Sequence, residues 1–326
     1  MDAFLFAVDA VLPLILMVAL GYLAKRAGLI PEEITKHLNR LVFRILLPCN
    51  LFLNVYGIED IGSVRLGYVW YVIGGTLVIL LLALPAVAVV TRDGGQRGTL
   101  VQAIFRSNYA LIGIPVATAL AGQEGAVAAS LLSAFIIPCF NVLAVICLTV
   151  YGDGGRADIK KILVGILKNP LIGSIAAACA CLGVRALLAH LGISFRLSDI
   201  TPVYSVLGQL SKTATPIALL TLGAQFSFSA IPELKRQILF GTLLRTVAVP
   251  AVGLGVACLL GCFTQGEMGA LVAVFATPVA VSTVPMAQEM GADTRLAGQL
   301  VVFSTLASGA TIFLCSFLLR AVGIFS

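Results

Sequence analysis

The chain contains ten stretches that are apolar over roughly the length needed to cross a lipid bilayer. They cover, to within several residues, positions 4–24, 38–57, 66–90, 99–121, 126–151, 163–188, 203–227, 237–262, 267–290 and 296–323. A membrane-spanning helix needs about 20 mostly apolar residues. The composition agrees, since 60% of the residues are hydrophobic and 11% are charged, against about 25% charged in soluble domains. The sequence therefore predicts an all-α integral membrane protein with ten transmembrane helices.

The distribution of Lys and Arg predicts how these helices are oriented. Lys25 and Arg26 follow the first apolar run, and most other basic residues fall in loops on the same side of the ten predicted spans. Cytoplasmic loops are enriched in basic residues. We therefore expect both termini outside and a location in a plasma membrane, specifically a bacterial inner membrane. The net charge of +6 comes largely from these loops, so the expected partner surface is the lipid bilayer, and no nucleic-acid partner is expected.

Two of the apolar runs are interrupted by polar and helix-breaking residues. The first interruption reads Arg106-Ser-Asn-Tyr-Ala-Leu-Ile-Gly-Ile-Pro115, and the second reads Thr277-Pro-Val-Ala-Val-Ser-Thr-Val-Pro285. A break frees backbone N–H and C=O groups that lipid cannot pair, so it survives only inside protein or beside a water-filled cavity. Matching breaks in the two halves of a chain are typical of the substrate site of secondary transporters.

The two halves of the chain align weakly but repeatedly. Arg44–Pro48 resembles Lys212–Pro216, and residues 100–115 align with residues 270–285. The economical interpretation is two repeats of five spans, residues 1–162 and residues 163–326. Because five is odd, the second repeat must enter the membrane inverted, and inverted repeats place the substrate site at their interface near the bilayer midplane.

The side chains around the two breaks are the candidates for substrate binding. Asn108 offers two donors and one acceptor, and the free N–H groups at the start of a half-helix favour a carboxylate. The alternative is that Asn108 only caps the helix at a proline kink and binds no ligand. The hydroxyls of the second break either pair the carbonyls freed by the prolines or contact the substrate. The candidate residues are Asn108, Tyr109, Gly113, Ile114, Pro115, Thr277, Pro278, Ser282, Thr283, Pro285 and Gln288.

Other polar residues in the apolar runs are open to two interpretations. A charge within the membrane is costly and indicates function, so Arg106 attracts the substrate anion unless its side chain snorkels to the nearby cytoplasmic end. Arg245 is expected near the cytoplasmic end of its span. Asn50 and Asn54 face either the transport path or a neighbouring helix.

Motifs for catalysis and for metal binding are missing from the sequence. It contains no HExxH, GxSxG, Walker A or GxGxxG pattern, and its eight cysteines do not have the spacing of metal ligands. We therefore expect neither an enzyme nor a bound metal or cofactor, while a coupling ion, H⁺ or Na⁺, stays open.

Taken in order, these segments resemble the auxin efflux carrier family, which includes plant PIN carriers and bacterial malate or malonate permeases. The matching pieces are Pro13, Leu20-Gly21-Tyr22, Lys25-Arg26-Ala-Gly28, Leu47-Pro48, Asn108, Gly113-Ile-Pro115, Lys168-Asn169-Pro170, Ala276-Thr277-Pro278 and Phe303-Ser304-Thr305. The resemblance implies ten helices with broken, crossing fourth and ninth spans, as in bile-acid sodium symporters. It also implies a transport domain of spans 3–5 and 8–10, a scaffold of spans 1, 2, 6 and 7, and a homodimer.

The resemblance also bears on the substrate. Asn108 falls on the carboxylate-binding asparagine of the family, whereas Gly291 stands where plant carriers place an Asn, and the short loop at 152–162 is similar to that of bacterial members. The prediction is a carrier of small organic anions, specifically carboxylates, that works by elevator-like alternating access. The alternatives are a sodium-coupled symporter of amphipathic organic acids and a membrane sensor that binds a metabolite without moving it.

Overall fold

The computed structural model describes residues 2–57, 65–152 and 159–325. Within these ranges the chain is helical and has no strand. The helices are α1 (Asp2–Arg26), α2 (Glu32–Leu41), α3 (Leu47–Tyr56), α4 (Leu66–Val90), α5 (Gly94–Phe105), α6 (Ile114–Gly152), α7 (Ile159–Leu167), α8 (Pro170–His190), α9 (Thr201–Gln225), α10 (Ala230–Leu243), α11 (Val249–Leu260), α12 (Gln265–Phe275), α13 (Thr283–Glu289) and α14 (Thr294–Ala321).

Six helical segments in the described part of the chain are long and apolar enough to cross a membrane. They are Glu32–Tyr56, Leu66–Val90, Tyr109–Gly152, Pro170–His190, Ala230–Leu260 and Thr294–Ala321. The prediction of a multi-pass, all-α membrane protein is therefore confirmed in its class. The number ten and the inverted repeats stay predictions.

Three single turns of π-helix each lead directly into an α-helix. Two of them join α2 to α3 and α10 to α11, whereas the third begins the segment that continues as α6 and is separated from α5 by residues 106–108. Val42–Leu46 precedes Pro48, Tyr109–Gly113 precedes Pro115, and Leu244–Ala248 precedes Pro250. Proline has no N–H to donate and its ring clashes with the carbonyl four residues earlier. A π turn widens the helix at that carbonyl, so each of these turns lets a helix continue through its proline.

The broken segments lie at the centre of the molecule. Every residue from 266 to 275 in α12 is buried, and so is every residue from 98 to 105 in α5. The start of α6 packs on α12, and α6 then bends at Ala121 and Gly122, where Gly122 takes a φ of 56°. The bend separates the short first part of α6 from its long remainder, which contains most of the buried residues of this helix.

The contact between α1 and α9 depends on two glycines. A Cβ atom on Gly21 would overlap the carbonyl of Leu220, and one on Gly223 would overlap the carbonyl of Val18. Small residues let membrane helices approach closely enough for backbone-to-backbone packing. These two glycines therefore set the separation of α1 and α9.

Candidate functional site

The two helix breaks predicted from the sequence meet each other in the structure. Residues between α5 and the π turn that begins at Tyr109 form the first break, and residues between α12 and α13 form the second. Ser107 and Val279 form an isolated antiparallel bridge, and the N–H of Asn108 donates to the carbonyl of Pro278 at 2.8 Å. Each break therefore supplies hydrogen-bond partners for backbone groups that the other leaves free, as burial in an apolar environment requires.

Arg245 binds the ends of both helices that stop at the breaks. The side chain is completely buried. Its Nε donates to Thr277 O at 2.8 Å and its Nη2 to Val274 O at 2.7 Å, while Nη1 donates to Ile104 O at 3.2 Å and lies 3.4 Å from Phe105 O. These carbonyls belong to the C-terminal ends of α5 and α12, each of which carries about half a negative charge.

The structure gives Arg245 partners that the sequence does not reveal. Its position near the cytoplasmic end of a span stays a prediction, and the structure shows that the side chain is buried against the two breaks. The positive charge of its guanidinium is offset by the two helix ends, because each end carries about half a negative charge. The signal that could have indicated this role is a lone basic residue inside an apolar run shortly before Pro250.

A cavity of about 80 Å³ lies where the breaks face α3, α6 and α9. Its lining consists of Leu47, Asn50, Leu51, Arg106, Ser107, Asn108, Tyr109, Ala110, Leu111, Ile137, Phe140, Asn141, Ala214, Thr215, Ala218, Ala280, Val281 and Ser282. Eight of these eighteen residues have polar side chains, and the rest are apolar. A small-molecule site typically combines apolar lining with placed polar groups, and this cavity is rich in the polar ones.

Arg106 points into the protein and does not snorkel. Only 4% of the residue is exposed. Its Nη2 donates to Asn141 Oδ1 at 2.8 Å and to Ser282 Oγ at 2.7 Å, and Nη1 contacts Met286 Sδ. Asn141 donates its own Nδ2 to Ile137 O at 2.8 Å, which leaves its oxygen to accept from the guanidinium. The snorkelling interpretation is therefore wrong, and Arg106 is part of the cavity wall.

Two buried donors beside Arg106 have no hydrogen-bond partner. They are Ser107 Oγ and Asn108 Nδ2, on residues that are 3% and 5% exposed. The Asn108 side chain does not cap the following helix, so the capping alternative is wrong. An unpaired buried donor costs about 1–3 kcal/mol, and such groups are rare in native proteins. A ligand with acceptor atoms would satisfy both donors.

The other candidate residues from the second break differ in their roles. Thr277 Oγ1 donates to Ala273 O at 2.7 Å, which is the backbone-pairing role considered for these hydroxyls. Ser282 joins the cavity wall, whereas Thr283, whose buried Oγ1 is unpaired, and Pro285 lie outside it. Pro285 is in the first turn of α13, where proline is tolerated.

The remaining candidates from the first break divide in the same way. Tyr109 lines the cavity, but its hydroxyl donates to Ala129 O at 2.9 Å. Gly113, Ile114 and Pro115 are not part of the wall. Gly113 instead allows the restarted helix to approach α12, since a Cβ there would lie 3.0 Å from Ala273 O.

The two asparagines of α3 occupy different positions. Asn50 lines the cavity and donates to Ser211 Oγ of α9 at 2.9 Å, whereas Asn54 stands one turn further along and donates to Asn50 Oδ1 at 3.0 Å. Asn54 therefore orients Asn50 and does not itself face the cavity.

Gln288 lies away from the cavity, in a cluster of amide side chains. Its Oε1 accepts from Asn39 Nδ2 at 2.9 Å and from Gln225 Nε2 at 3.1 Å, and its Nε2 donates to Lys36 O at 3.0 Å. The neighbouring Glu289 pairs with two arginines of the segment Glu32–Tyr56, Arg40 and Arg44. This amide cluster and its ion pairs connect α13 to α2 and α9.

Fold and site together define a multi-pass membrane protein whose two interrupted helices meet beside a donor-lined cavity, an arrangement used by secondary transporters. Residues 6–315 match the family model described as Membrane transport protein. The chain belongs to that family, which is the auxin efflux carrier family.

Two relatives are similar along most of their length. An uncharacterized transporter of Methanothermobacter thermautotrophicus is 24% identical over 313 residues, which cover 94% of this chain and 96% of the relative. An uncharacterized transporter of Methanocaldococcus jannaschii is 28% identical over 254 residues, with 74% and 76% covered. Neither name states a substrate.

Proposed function

We propose that the protein is a secondary transporter of small organic anions whose carboxylate binds at the meeting point of the two breaks. The observation that carries this proposal is the donor set in the cavity wall. Arg106 supplies a buried guanidinium, and Ser107 and Asn108 each supply a buried donor that has no partner. A carboxylate is an acceptor-only group with two oxygens, so it can satisfy the unpaired donors and the charge together.

The helix that begins at Tyr109 supports the same assignment. Its first N–H groups carry a partial positive charge and favour an anion. Asn108 immediately precedes this helix and lines the cavity, so its free Nδ2 would reach a carboxylate drawn to the helix start. Asn108 is therefore the residue to which we assign recognition of the carboxylate.

The architecture we propose has ten transmembrane helices in two inverted repeats, residues 1–162 and 163–326, with crossing fourth and ninth spans. Spans 1, 2, 6 and 7 form a scaffold, and spans 3–5 and 8–10 move as an elevator. Close packing of α12 on α6, and of α1 on α9 and α3 on α8, supports this division. The cavity supports it as well, because α3 and α9 face both breaks across it. The further expectations are a homodimer in a bacterial inner membrane with both termini outside.

Uptake by proteoliposomes tests the function. We expect the purified protein to move radiolabelled butyrate or another small carboxylate across the membrane. In Asn108→Ala the loss of one hydrogen bond to a charged group should weaken apparent affinity about ten- to a hundredfold. The matched control is Gln209→Ala, which removes an amide from an exposed position of α9 and should leave affinity unchanged.

The outcomes separate the alternatives. Binding of carboxylates without uptake would indicate a sensor, and uptake that requires Na⁺ would indicate a sodium-coupled symporter. Equal affinity in Asn108→Ala and the wild type would refute the assignment of Asn108.

A further inference from the structure

Among the described residues that line the cavity, Arg106 is the one with a charged side chain. Its hydrogen-bond partners are neutral, namely Asn141, Ser282 and the Met286 sulfur. In the described ranges no carboxylate forms an ion pair with it. Arginine stays protonated in proteins. The cavity as it stands therefore carries one positive charge that no group in its wall neutralises.

The positive charge of the other buried arginine, Arg245, is neutralised within the protein. Arg245 donates to carbonyls at the C-terminal ends of α5 and α12, where the helix dipoles supply about one negative charge in total. Arg106 is the C-cap residue of α5, but its guanidinium turns to the side chains of Asn141 and Ser282 and donates to no carbonyl of that helix end. The helix that begins at Tyr109 places a positive end nearby. Both arginines are buried, but in the described part of the chain it is Arg245 whose guanidinium binds helix ends of opposite charge directly.

The groups next to Arg106 are donors as well. Ser107 Oγ and Asn108 Nδ2 are buried, unpaired and part of the same wall. A wall with one positive charge and unpaired donors, but no acidic side chain, is complementary to a single negative charge. A second negative charge would have to be buried in the cavity without a counter-charge, which is strongly unfavourable in apolar surroundings.

We infer that the substrate is a monoanion whose one carboxylate neutralises Arg106, so that the loaded site is electrically neutral and the empty site carries one positive charge. This inference rests on the proposed function and narrows its substrate class to monocarboxylates. Asn108 positions the carboxylate, whereas Arg106 selects the total charge of the substrate.

Calorimetric binding to the purified protein in nanodiscs tests the charge selection. Butyrate, succinate and butyramide have four carbons and differ in charge at neutral pH. The wild type should bind butyrate at least about tenfold more tightly than succinate or butyramide, since a charge-assisted contact is lost or left unbalanced in the other two. Arg106→Gln should weaken the binding of butyrate and leave the binding of butyramide unchanged, so that the difference in affinity between the two disappears. Arg106→Lys, which keeps the charge, should preserve the order of the three probes.

An exchange experiment on the wild type tests the same inference without a substitution. With butyrate on both sides of a proteoliposome, only the loaded site has to move. A neutral loaded site moves no charge, so an imposed membrane potential should not change the rate of butyrate exchange. A rate that responds to the potential would overturn the inference, as would succinate binding as tight as butyrate binding.

The two proposals fail in different ways. If Arg106→Gln binds butyrate as the wild type does while Asn108→Ala does not, the charge selection is wrong and the carboxylate site stands. If the wild type binds and moves none of the acids, the proposed function is wrong and the inference falls with it.

Discussion

The backbone N–H of Asn108 donates to the carbonyl of Pro278 over 2.8 Å, and this bond ties one helix break to the other. Because the backbone makes the bond, the Asn108 side chain is not needed to hold the breaks together. Pro278 has no N–H of its own, yet its carbonyl supplies the acceptor. The arrangement leaves the Asn108 amide buried beside the cavity with an unpaired donor.

Asn108→Ala should therefore bind substrate poorly without losing stability. The substitution removes an unpaired buried donor, whose burial costs about 1–3 kcal/mol, and keeps the backbone bond to Pro278. We expect the melting temperature to stay at or above that of the wild type. A clear fall in melting temperature, measured by thermal unfolding in detergent, would show that the side chain has a structural role.

Arg245→Lys should destabilise the protein, although the charge is kept. A lysine ammonium has three donors on one atom and cannot reproduce the planar fork of a guanidinium. Each buried carbonyl left unpaired costs about 1–3 kcal/mol, and Arg245 serves carbonyls of both α5 and α12. Arg320→Lys, at an exposed position of α14, is the matched control and should melt like the wild type. Equal melting temperatures for the two variants would contradict the role given to Arg245.

Much of this arrangement could be predicted from the sequence, because its causes are local. Apolar runs of membrane length and polar residues within two of them are visible without a structure. Pro278 marks a position where a regular helix would lose a hydrogen bond. The prediction that Asn108 stands at a break was possible for the same reason.

The partners of long polar side chains could not be predicted, because they depend on contacts distant in sequence. Arg245 finds carbonyls of two other helices, and Gln288 finds Asn39 and Gln225. The sequence makes Gln288 and Ser282 equal candidates for substrate binding, because both belong to the second break. In the structure, Ser282 lines the cavity and Gln288 does not. Which end of a break faces the cavity is decided by packing, and no periodicity in the sequence records it.

Pro115→Ala should reduce transport, whereas Pro285→Ala should not. Pro115 follows the π turn Tyr109–Gly113, and its removal lets this turn tighten to regular α-helix, which rotates the residues at the cavity. Pro285 is in the first turn of α13, where its missing N–H would be unpaired in any case. Initial uptake rates in proteoliposomes measure the difference. Similar rates for both variants would show that the π turn does not position the site.

Gln288→Ala should change the rate of transport and leave apparent affinity unchanged. The residue is outside the cavity but connects α13 to α2 and α9 through Asn39 and Gln225, so its loss alters a contact between elements that we propose move relative to each other. Substrate titration of uptake separates the two parameters. An affinity loss as large as that of Asn108→Ala would indicate that Gln288 contributes to substrate binding after all.

Gly223→Ala should lower the melting temperature, and Gly208→Ala on the same helix should not. At Gly223 the added Cβ would overlap the Val18 carbonyl of α1, whereas at Gly208 no atom lies within 4 Å of the added Cβ. Overpacking of this kind costs about 1–3 kcal/mol because the helices must separate. In contrast, an Ala in place of an unpacked helical Gly stabilises by up to about 1 kcal/mol. Thermal unfolding of the two variants should therefore shift in opposite directions, and a shift of Gly223→Ala to higher temperature would mean that α1 and α9 are not in backbone contact.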